Sequence, residues 1–336
     1  MKTLYKYTWL FLFFQVFISC TSETKNTKNV PEKLEANTSQ DAHLSASFRS
    51  PVMVSSDFGK TWEAASNNLP EDTQVSFLEK KGAEIVLASD NRGVFISQGN
   101  VSEWKPIGES LPNPKINALH ISEEEIFVGV YEKGIYTTKN EGKSWESINY
   151  NLTNLAVQSI FKLQDKLFIG TDDGIFTLQP SENTWKPTDV KAQVLSIYEY
   201  EGRLIAGTSQ GTLLSNDEGK SWEWIRKEGA VHYTHNVENR IVELLLTGEL
   251  FFSDDWGNTW NAMHYEPTQG SYVYEIIGVN AFQLISNNYG IHQSADQGQS
   301  WELIFKTESM AFFDFLSVGD FVYGGTRSWD EYRKRN

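Results

Sequence analysis

Ser55-Ser56-Asp57-Phe58-Gly59-Lys60-Thr61-Trp62 is the stretch on which the fold turns, because it returns. The pattern Ser-x-Asp-x-Gly-x-Thr/Ser-Trp recurs at 215–222, 253–260 and 294–301. A close variant runs from Thr138 to Trp145, with Asn140 in the aspartate's place. Two degenerate copies keep little beyond the tryptophan and its upstream strand, and end at Trp104 and Trp185. The seven tryptophans (Trp62, Trp104, Trp145, Trp185, Trp222, Trp260 and Trp301) follow one another at intervals of 37 to 42 residues. A fixed period marks a repeat architecture. This one fits a four-stranded blade of a β-propeller.

The residue types in the repeat suit a tight hairpin turn. An aspartate accepts hydrogen bonds from the N–H groups of its own turn. Glycine two residues on permits left-handed backbone. The Ser and Thr hydroxyls close further local bonds, and the tryptophan buries a large flat surface beside the turn. Asp57, Asn140, Asp217, Asp255 and Asp296, with Trp62, Trp145, Trp222, Trp260 and Trp301, are therefore read as structural. A catalytic or metal role for the aspartates is rejected. Five turns on five separate blades cannot converge on one substrate.

Each unit carries the same grammar. A first apolar strand precedes a second, such as Leu167-Phe168-Ile169-Gly170-Thr171. A glycine turn then leads to a third strand, and the fourth starts at the tryptophan. The glycine recurs as Gly93, Gly134, Gly174, Gly211 and Gly290, where a tight turn calls for positive φ. The repeat region opens near Ala46 with a third strand (Val52-Met53-Val54) and a fourth, but no first or second. Ala311 to Ser317 and Phe321 to Thr326 supply the missing pair. The expected fold is all-β: a seven-bladed β-propeller of four-stranded blades over 46–329, closed by a blade shared between the N- and C-terminal segments. Such closure removes exposed sheet edges.

The first segment reads as an address. Lys2 and Lys6, the apolar run Trp9 to Ile18 and the small Ser19 fit a signal peptide over 1–19. Phe17-Ile18-Ser19-Cys20 resembles the bacterial lipobox, with Phe17 where leucine is usual. Cys20, the only cysteine, is the expected lipidation site. Residues 20–45 lack Phe, Tyr and Trp and read as a flexible tether, and 330–336 as a charged tail. The expected location is the bacterial cell envelope, extracytoplasmic and held to a membrane by the lipid alone. The net charge of −15 repels phosphate backbones, which argues against nucleic acid. The chain is expected to be monomeric, with no cofactor.

The repeated turn resembles the Asp-box, or bacterial neuraminidase repeat, superfamily over about residues 46–329. Members include sialidases, xyloglucan hydrolases, sortilin-type receptors and photosystem II assembly factors. The resemblance implies the propeller and leaves function open. Sialidases of this kind have six blades and use three arginines, a Tyr–Glu nucleophile pair and an acid Asp. Only Phe48-Arg49-Ser50-Pro51 faintly echoes them here. Xyloglucan hydrolases need a cleft between two propellers. A rigid ring with variable loops suits binding, so the expected function is recognition of protein or glycan, with a sialidase-like glycosidase as the alternative.

In this superfamily the turns with aspartate lie on one face and active sites on the other. Candidates on loops between second and third strands are Arg92, Tyr131, Glu132, Asp172, Asp173, Asn287, Asn288 and Tyr289. Candidates on loops leading into the next blade are His232, Tyr233, His235, His264, Tyr265 and Glu266. These mix aromatic and hydrogen-bonding groups, as sugar and peptide sites do. The histidines show no recognised ligand spacing for zinc, and no metal is expected.

Overall fold

The computed structural model describes residues 50–97, 101, 103–179, 181–265, 272–307 and 310–328. The signal segment, Cys20, the tether, Arg49, Glu266 and the tail at 330–336 lie outside the described residues.

Among the described residues, twenty-eight strands form seven antiparallel sheets of four. Blade 1 holds β3 (Val75–Lys81), β4 (Glu84–Ser89), β5 (Val94–Ser97) and β6 (Trp104–Pro106). Blade 2 holds β7 (Ile116–Ile121), β8 (Ile126–Val130), β9 (Gly134–Thr138) and β10 (Glu146–Ser147). Blade 3 holds β11 (Val157–Leu163), β12 (Lys166–Thr171), β13 (Gly174–Gln179) and β14 (Thr184–Pro187). Blade 4 holds β15 (Val194–Tyr200), β16 (Arg203–Thr208), β17 (Gly211–Ser215) and β18 (Glu223–Arg226). Blade 5 holds β19 (Val231–Val237), β20 (Arg240–Leu245), β21 (Leu250–Ser253) and β22 (Asn261–Ala262). Blade 6 holds β23 (Val273–Val279), β24 (Phe282–Asn287), β25 (Gly290–Ser294) and β26 (Glu302–Lys306). Blade 7 takes β27 (Met310–Val318) and β28 (Phe321–Ser328) from one end of the chain and β1 (Val52–Ser55) and β2 (Glu63–Ala64) from the other.

The seam in blade 7 runs between β1 and β28, where Met53 faces Gly324 and Val54 faces Tyr323. First strands of successive blades pack on one another all the way round, and β27 on β3 closes the ring. The first strands therefore line a central channel.

Second strands are sandwiched by the neighbouring blades, so they read as unbroken apolar runs rather than alternating ones. Val86, Leu87 and Ala88 of β4 are fully buried, as are Phe168 and Ile169 of β12. The core is a series of joints: Met53, Trp62 and Phe312 of blade 7 pack with Leu284, Ile291 and Phe305 of blade 6.

Each repeated turn is tied by its own side chains. Asp57 accepts from the Thr61 amide at 2.8 Å and the Thr61 hydroxyl at 2.6 Å, and Ser55 Oγ accepts from the Gly59 amide at 2.8 Å. Asp217, Asp255 and Asp296 repeat this with Ser221, Thr259 and Ser300. The residue before the glycine is also left-handed, with φ of 60° at Phe58 and 61° at Trp256. Such backbone is costly for a bulky side chain, and the aspartate's bonds hold it. The loop glycines are left-handed as well. A Cβ on Gly174 (φ 124°) would meet the Val190 carbonyl oxygen at 2.1 Å.

The tryptophans do more than brace their hairpins. Trp104 Nε1 donates to the Ala65 carbonyl (2.8 Å), Trp145 to Ile107 (2.6 Å) and Trp185 to Ile148 (2.8 Å). Each acceptor lies three residues beyond the preceding blade's tryptophan, so these indoles latch blades 7, 1, 2 and 3 together. Trp62 bonds within its own turn, to Gly59. Trp222, Trp260 and Trp301 bury their indole N–H without a protein partner.

Candidate functional site

The blade topology leaves two faces. The repeated turns join third to fourth strands on one. The other carries the turns between second and third strands, and the channel opens there beside the start of each first strand.

Every first strand carries a register shift at the same step, between Val75 and Phe77, Ile116 and Ala118, Val157 and Ser159, Val194 and Ser196, Val231 and Tyr233, Val273 and Glu275, and Phe312 and Asp314. A bulge leaves its extra residue outside the ladder and re-aims that side chain. The seven extra residues are Ser76, Asn117, Gln158, Leu195, His232, Tyr274 and Phe313. None is buried, although each follows a buried residue. The scaffold repeats at this step and the side-chain chemistry does not.

Around this mouth the groups cluster unevenly. Tyr274 stacks on Phe313 with ring centroids 4.4 Å apart, and Tyr272 packs on Tyr274 at 5.5 Å. The Arg327 guanidinium lies 4.5 Å from the Phe313 ring centroid and donates to Ser76 Oγ at 2.7 Å and to the Val75 carbonyl at 2.8 Å. The rim of blades 6, 7 and 1 is thus aromatic and cationic. The rim between blades 3 and 4 is amide-rich: Gln158 and Gln193 both donate to Asp172, at 3.3 and 2.8 Å.

Below the mouth the channel wall is polar, and its groups serve the joints. A first strand is a sheet edge, and its inward N–H groups need acceptors. The preceding blade supplies them. Asp314 accepts from the Leu78 amide (2.5 Å), Glu79 from Ile121 (2.9 Å), His120 from Lys162 (3.2 Å), Ser196 from Thr234 (3.1 Å) and Tyr233 from Ile276 (2.9 Å). Tyr233 in turn donates to the Glu275 carboxylate.

Confinement in the channel shifts these groups strongly. Burial raises Glu79 to about 8 against the Ile121 N–H, with the Asp314 charge adding to the rise. Burial likewise raises Asp314 to about 8, opposed by the Leu78 N–H and Arg327. Burial and then the Asp314 charge push Glu275 well above the carboxylate range. His232 and His235 are open to channel water yet ringed by protein. Burial depresses both, His232 to about 4 with help from Arg327.

The sequence candidates fall into three groups. Arg92, Tyr131, Asp172, Asn288 and Tyr289 lie in turns between second and third strands, on the mouth side. Arg92 is paired with Asp72, and Lys115 sits 4.5 Å from the Tyr131 ring centroid. Asn288 accepts from the Tyr272 amide at 2.8 Å, and Tyr289 is partly exposed. These residues are spread round the rim and form no single cluster.

His232, Tyr233 and His235 require a correction: they belong to β19 and line the channel, not a loop between blades. In Val231-His-Tyr-Thr-His-Asn-Val237 the buried residues are Val231, Thr234 and Val237, and the bulge at His232 shifts the register between them. His264 and Tyr265 do follow β22, but Tyr265 is wedged into blade 6. Its hydroxyl is bonded to Asn287 and lies 3.2 Å from His292 Nδ1, and its ring meets Trp301 edge-on. The sequence did not single out Tyr272, Tyr274, Glu275, Phe313, Asp314 or Arg327. Among the described residues no group of three or more His, Cys, Asp or Glu side chains is placed to hold a metal.

No family model and no curated protein matches the chain. Solved structures do. One is the extracellular domain of the one-component system BT4673 from B. thetaiotaomicron, at 14% identity and a TM-score of 0.62, covering 76% of this chain and 37% of that one. A second is YCF48 bound to D1 peptide, at 14% identity and a TM-score of 0.63, covering 84% of this chain and 97% of that one. A third is YCF48 from Cyanidioschyzon merolae, at 15% identity and 0.61, covering 77% and 95%. The chain spans little more than a third of the BT4673 domain. What it has in common with these proteins is the fold.

Proposed function

We propose that this protein is a binding or scaffold module, held outside the cytoplasm by a lipid on Cys20, that recognises protein or glycan at the channel mouth. The observation that carries this reading is the invariant bulge with variable residues. Seven blades spend the same backbone irregularity at the same step, and each presents a different side chain there. Binding sites are built by varying loops and rims on a rigid frame. The Tyr272–Tyr274–Phe313–Arg327 run offers stacking surface and a cation, the mix that anchors peptide and sugar contacts. That YCF48, a propeller of similar fold, was solved with a peptide supports a protein ligand.

The test uses the purified full-length protein in a pull-down from the native envelope and on a glycan array. Saturable binding that Tyr274→Ala and Phe313→Ala abolish is the expected result. Binding undiminished by both substitutions would overturn the placement at the mouth. Metabolic labelling with a fatty-acid analogue, absent in Cys20→Ala, tests the anchor.

Glycoside hydrolysis is the second reading, favoured by the Tyr233–Glu275 pair in the channel. A carboxylate accepting from a tyrosine hydroxyl is how a tyrosine nucleophile is prepared in sialidases. Against it, Tyr233 also accepts the Ile276 amide as part of a blade joint. Turnover of a sialoside that Tyr233→Phe removes would establish the enzyme; saturable ligand binding without turnover favours the module.

A further inference from the structure

The joint between blades 3 and 4 is unlike its neighbours. Elsewhere in this half of the ring an indole closes the outer end of the joint, but Trp222 Nε1 has no protein partner. The carbonyl equivalent to Ala65, Ile107 and Ile148 is that of Thr188, and Lys191 Nζ occupies it at 3.3 Å. At the inner end, Ser159 Oγ is also buried without a partner, where Ser196 at the next joint accepts an amide.

At the outer end of this joint lies a cleft of about 240 Å³. Blade 3 contributes Asp189 and Lys191, and blade 4 contributes Gln210, Trp222, Trp224 and Lys227. Trp222 and Trp224 are two residues apart in an extended segment, so they share a face. Trp224 is 37% exposed. Two residues beyond the repeat tryptophan the other blades carry Ala64, Pro106, Ser147, Pro187, Ala262 and Leu303. A second indole here is particular to blade 4 and answers to no need of the fold. Lys227 Nζ lies over one face of the Trp224 ring, 5.3 Å from its centroid, and leaves the opposite face for a ligand.

We infer that this cleft binds one ring of an acidic saccharide, such as a hexuronate. An exposed indole offers a flat apolar face for the C–H side of a pyranose, while Gln210 and Asp189 meet its hydroxyls. Lys191 and Lys227 set a positive charge beside the platform on a chain whose net charge is −15, which selects a carboxylate-bearing ring over a neutral one. The volume falls below the range of drug-sized sites, about 300–1,000 Å³, and suits a single ring with the rest of the glycan running over the rim. The site is separate from the channel mouth and does not depend on what binds there.

The experiment titrates the full-length protein with an oligogalacturonate and, separately, with a neutral gluco-oligosaccharide of equal length, by calorimetry and intrinsic tryptophan fluorescence. Saturable oligogalacturonate binding is expected, with a fluorescence change. Trp224→Ala should weaken it at least about tenfold, which is about 1.4 kcal/mol. Lys227→Gln should weaken it less and flatten its salt dependence. Both positions are exposed, so an unchanged melting temperature is expected and shows that the fold survives. Tyr274→Ala, at the channel mouth, should leave this binding intact. No saturable binding to the oligogalacturonate, equal binding of the neutral sugar, or binding indifferent to Trp224→Ala would overturn the inference.

Discussion

The carboxylate of Asp314, on β27, accepts the amide hydrogen of Leu78, on β3, at 2.5 Å across 236 residues of sequence. This bond sits at the joint where the shared blade meets the first contiguous one. It belongs to a series in which one blade's side chain covers the next blade's edge. The channel acids are therefore first of all parts of the ring.

That placement gives stability a pH dependence with a definite sign. Glu79 and Asp314 titrate near 8 in the folded protein, against about 4 in an unfolded chain. The folded state holds protons that the unfolded state has released, so the contribution of these two acids is full below about pH 4 and is lost as pH rises through 8. His120, His232 and His292 are shifted the other way, each to about 4. Their contribution is present above about pH 6.5 and is lost as pH falls through 4. The melting temperature should thus decline from about pH 6 towards pH 9. Glu79→Gln should flatten that alkaline limb, since the amide oxygen still accepts the Ile121 N–H. A melting temperature that climbs over this range would contradict the assignment.

The indole latches divide the ring. Trp145→Phe and Trp185→Phe each remove an interblade hydrogen bond and leave a carbonyl short of a partner. Trp260→Phe removes an N–H that has none. Trp145 and Trp260 are both partly buried, so that pair isolates the bond, whereas Trp185 at 2% exposed also loses packing. By chemical denaturation Trp145→Phe should lose roughly 1 kcal/mol more than Trp260→Phe, the net worth of one hydrogen bond, and Trp185→Phe at least as much. Equal losses would mean that the latch carries no weight.

Much of the fold was legible because the seven tryptophans and the turns before them recur, and their chemistry is local: Asp57 needs only Ser55, Gly59 and Thr61. The shared blade followed from the missing strands near Val52. The channel was not legible. Its joint-closing groups are Asp314, Glu79, His120, Ser196 and Tyr233, which have only an available acceptor in common, and their partners lie in another blade. His232, Tyr233 and His235 looked like loop residues because polar side chains interrupt an apolar run. In a first strand, one side faces water inside the channel. Tyr274 and Phe313 escaped notice because only the bulge, a tertiary feature, brings them to the rim.

The turn at 138–145 supplies its own control for the others. Asn140 accepts the Ser144 amide at 3.0 Å and donates to the Ser144 hydroxyl at 2.9 Å, so an amide does the aspartate's work with one bond reversed. Asp217→Asn should therefore cost little, while Asp217→Ala leaves the Ser221 amide and hydroxyl and the Ser215 hydroxyl without their acceptor. Hydrogen bonds, first that of the Ser221 hydroxyl, hold Asp217 at about 2. This group's contribution is present above about pH 4 and is lost as pH falls through 2. Melting curves should rank the wild type and Asp217→Asn close together at pH 7 and Asp217→Ala clearly below. The reverse ranking would show that the turn is held by the glycine and tryptophan alone.

Closure itself can be tested by removing residues 310–336. This deletes β27 and β28, leaving β1 and β2 as an isolated two-stranded ribbon, which is marginal in water at best. The loss does not stop at one blade. Blade 6 would expose Leu284, Ile291 and Phe305, which pack against Phe312 and Val322. Blade 1 would lose the Asp314 acceptor for Leu78 and the apolar cover that Tyr323 gives Leu87. Both flanks of the gap would become open sheets with apolar faces, so the truncated chain should lose its cooperative thermal transition and bind a hydrophobic dye. Restoring 310–328 as a separate peptide should recover part of the transition, because β28 pairs with β1 through backbone bonds from Val52 to Ser55. A truncated chain that melts like the full one would mean that the seven blades are not held by the seam.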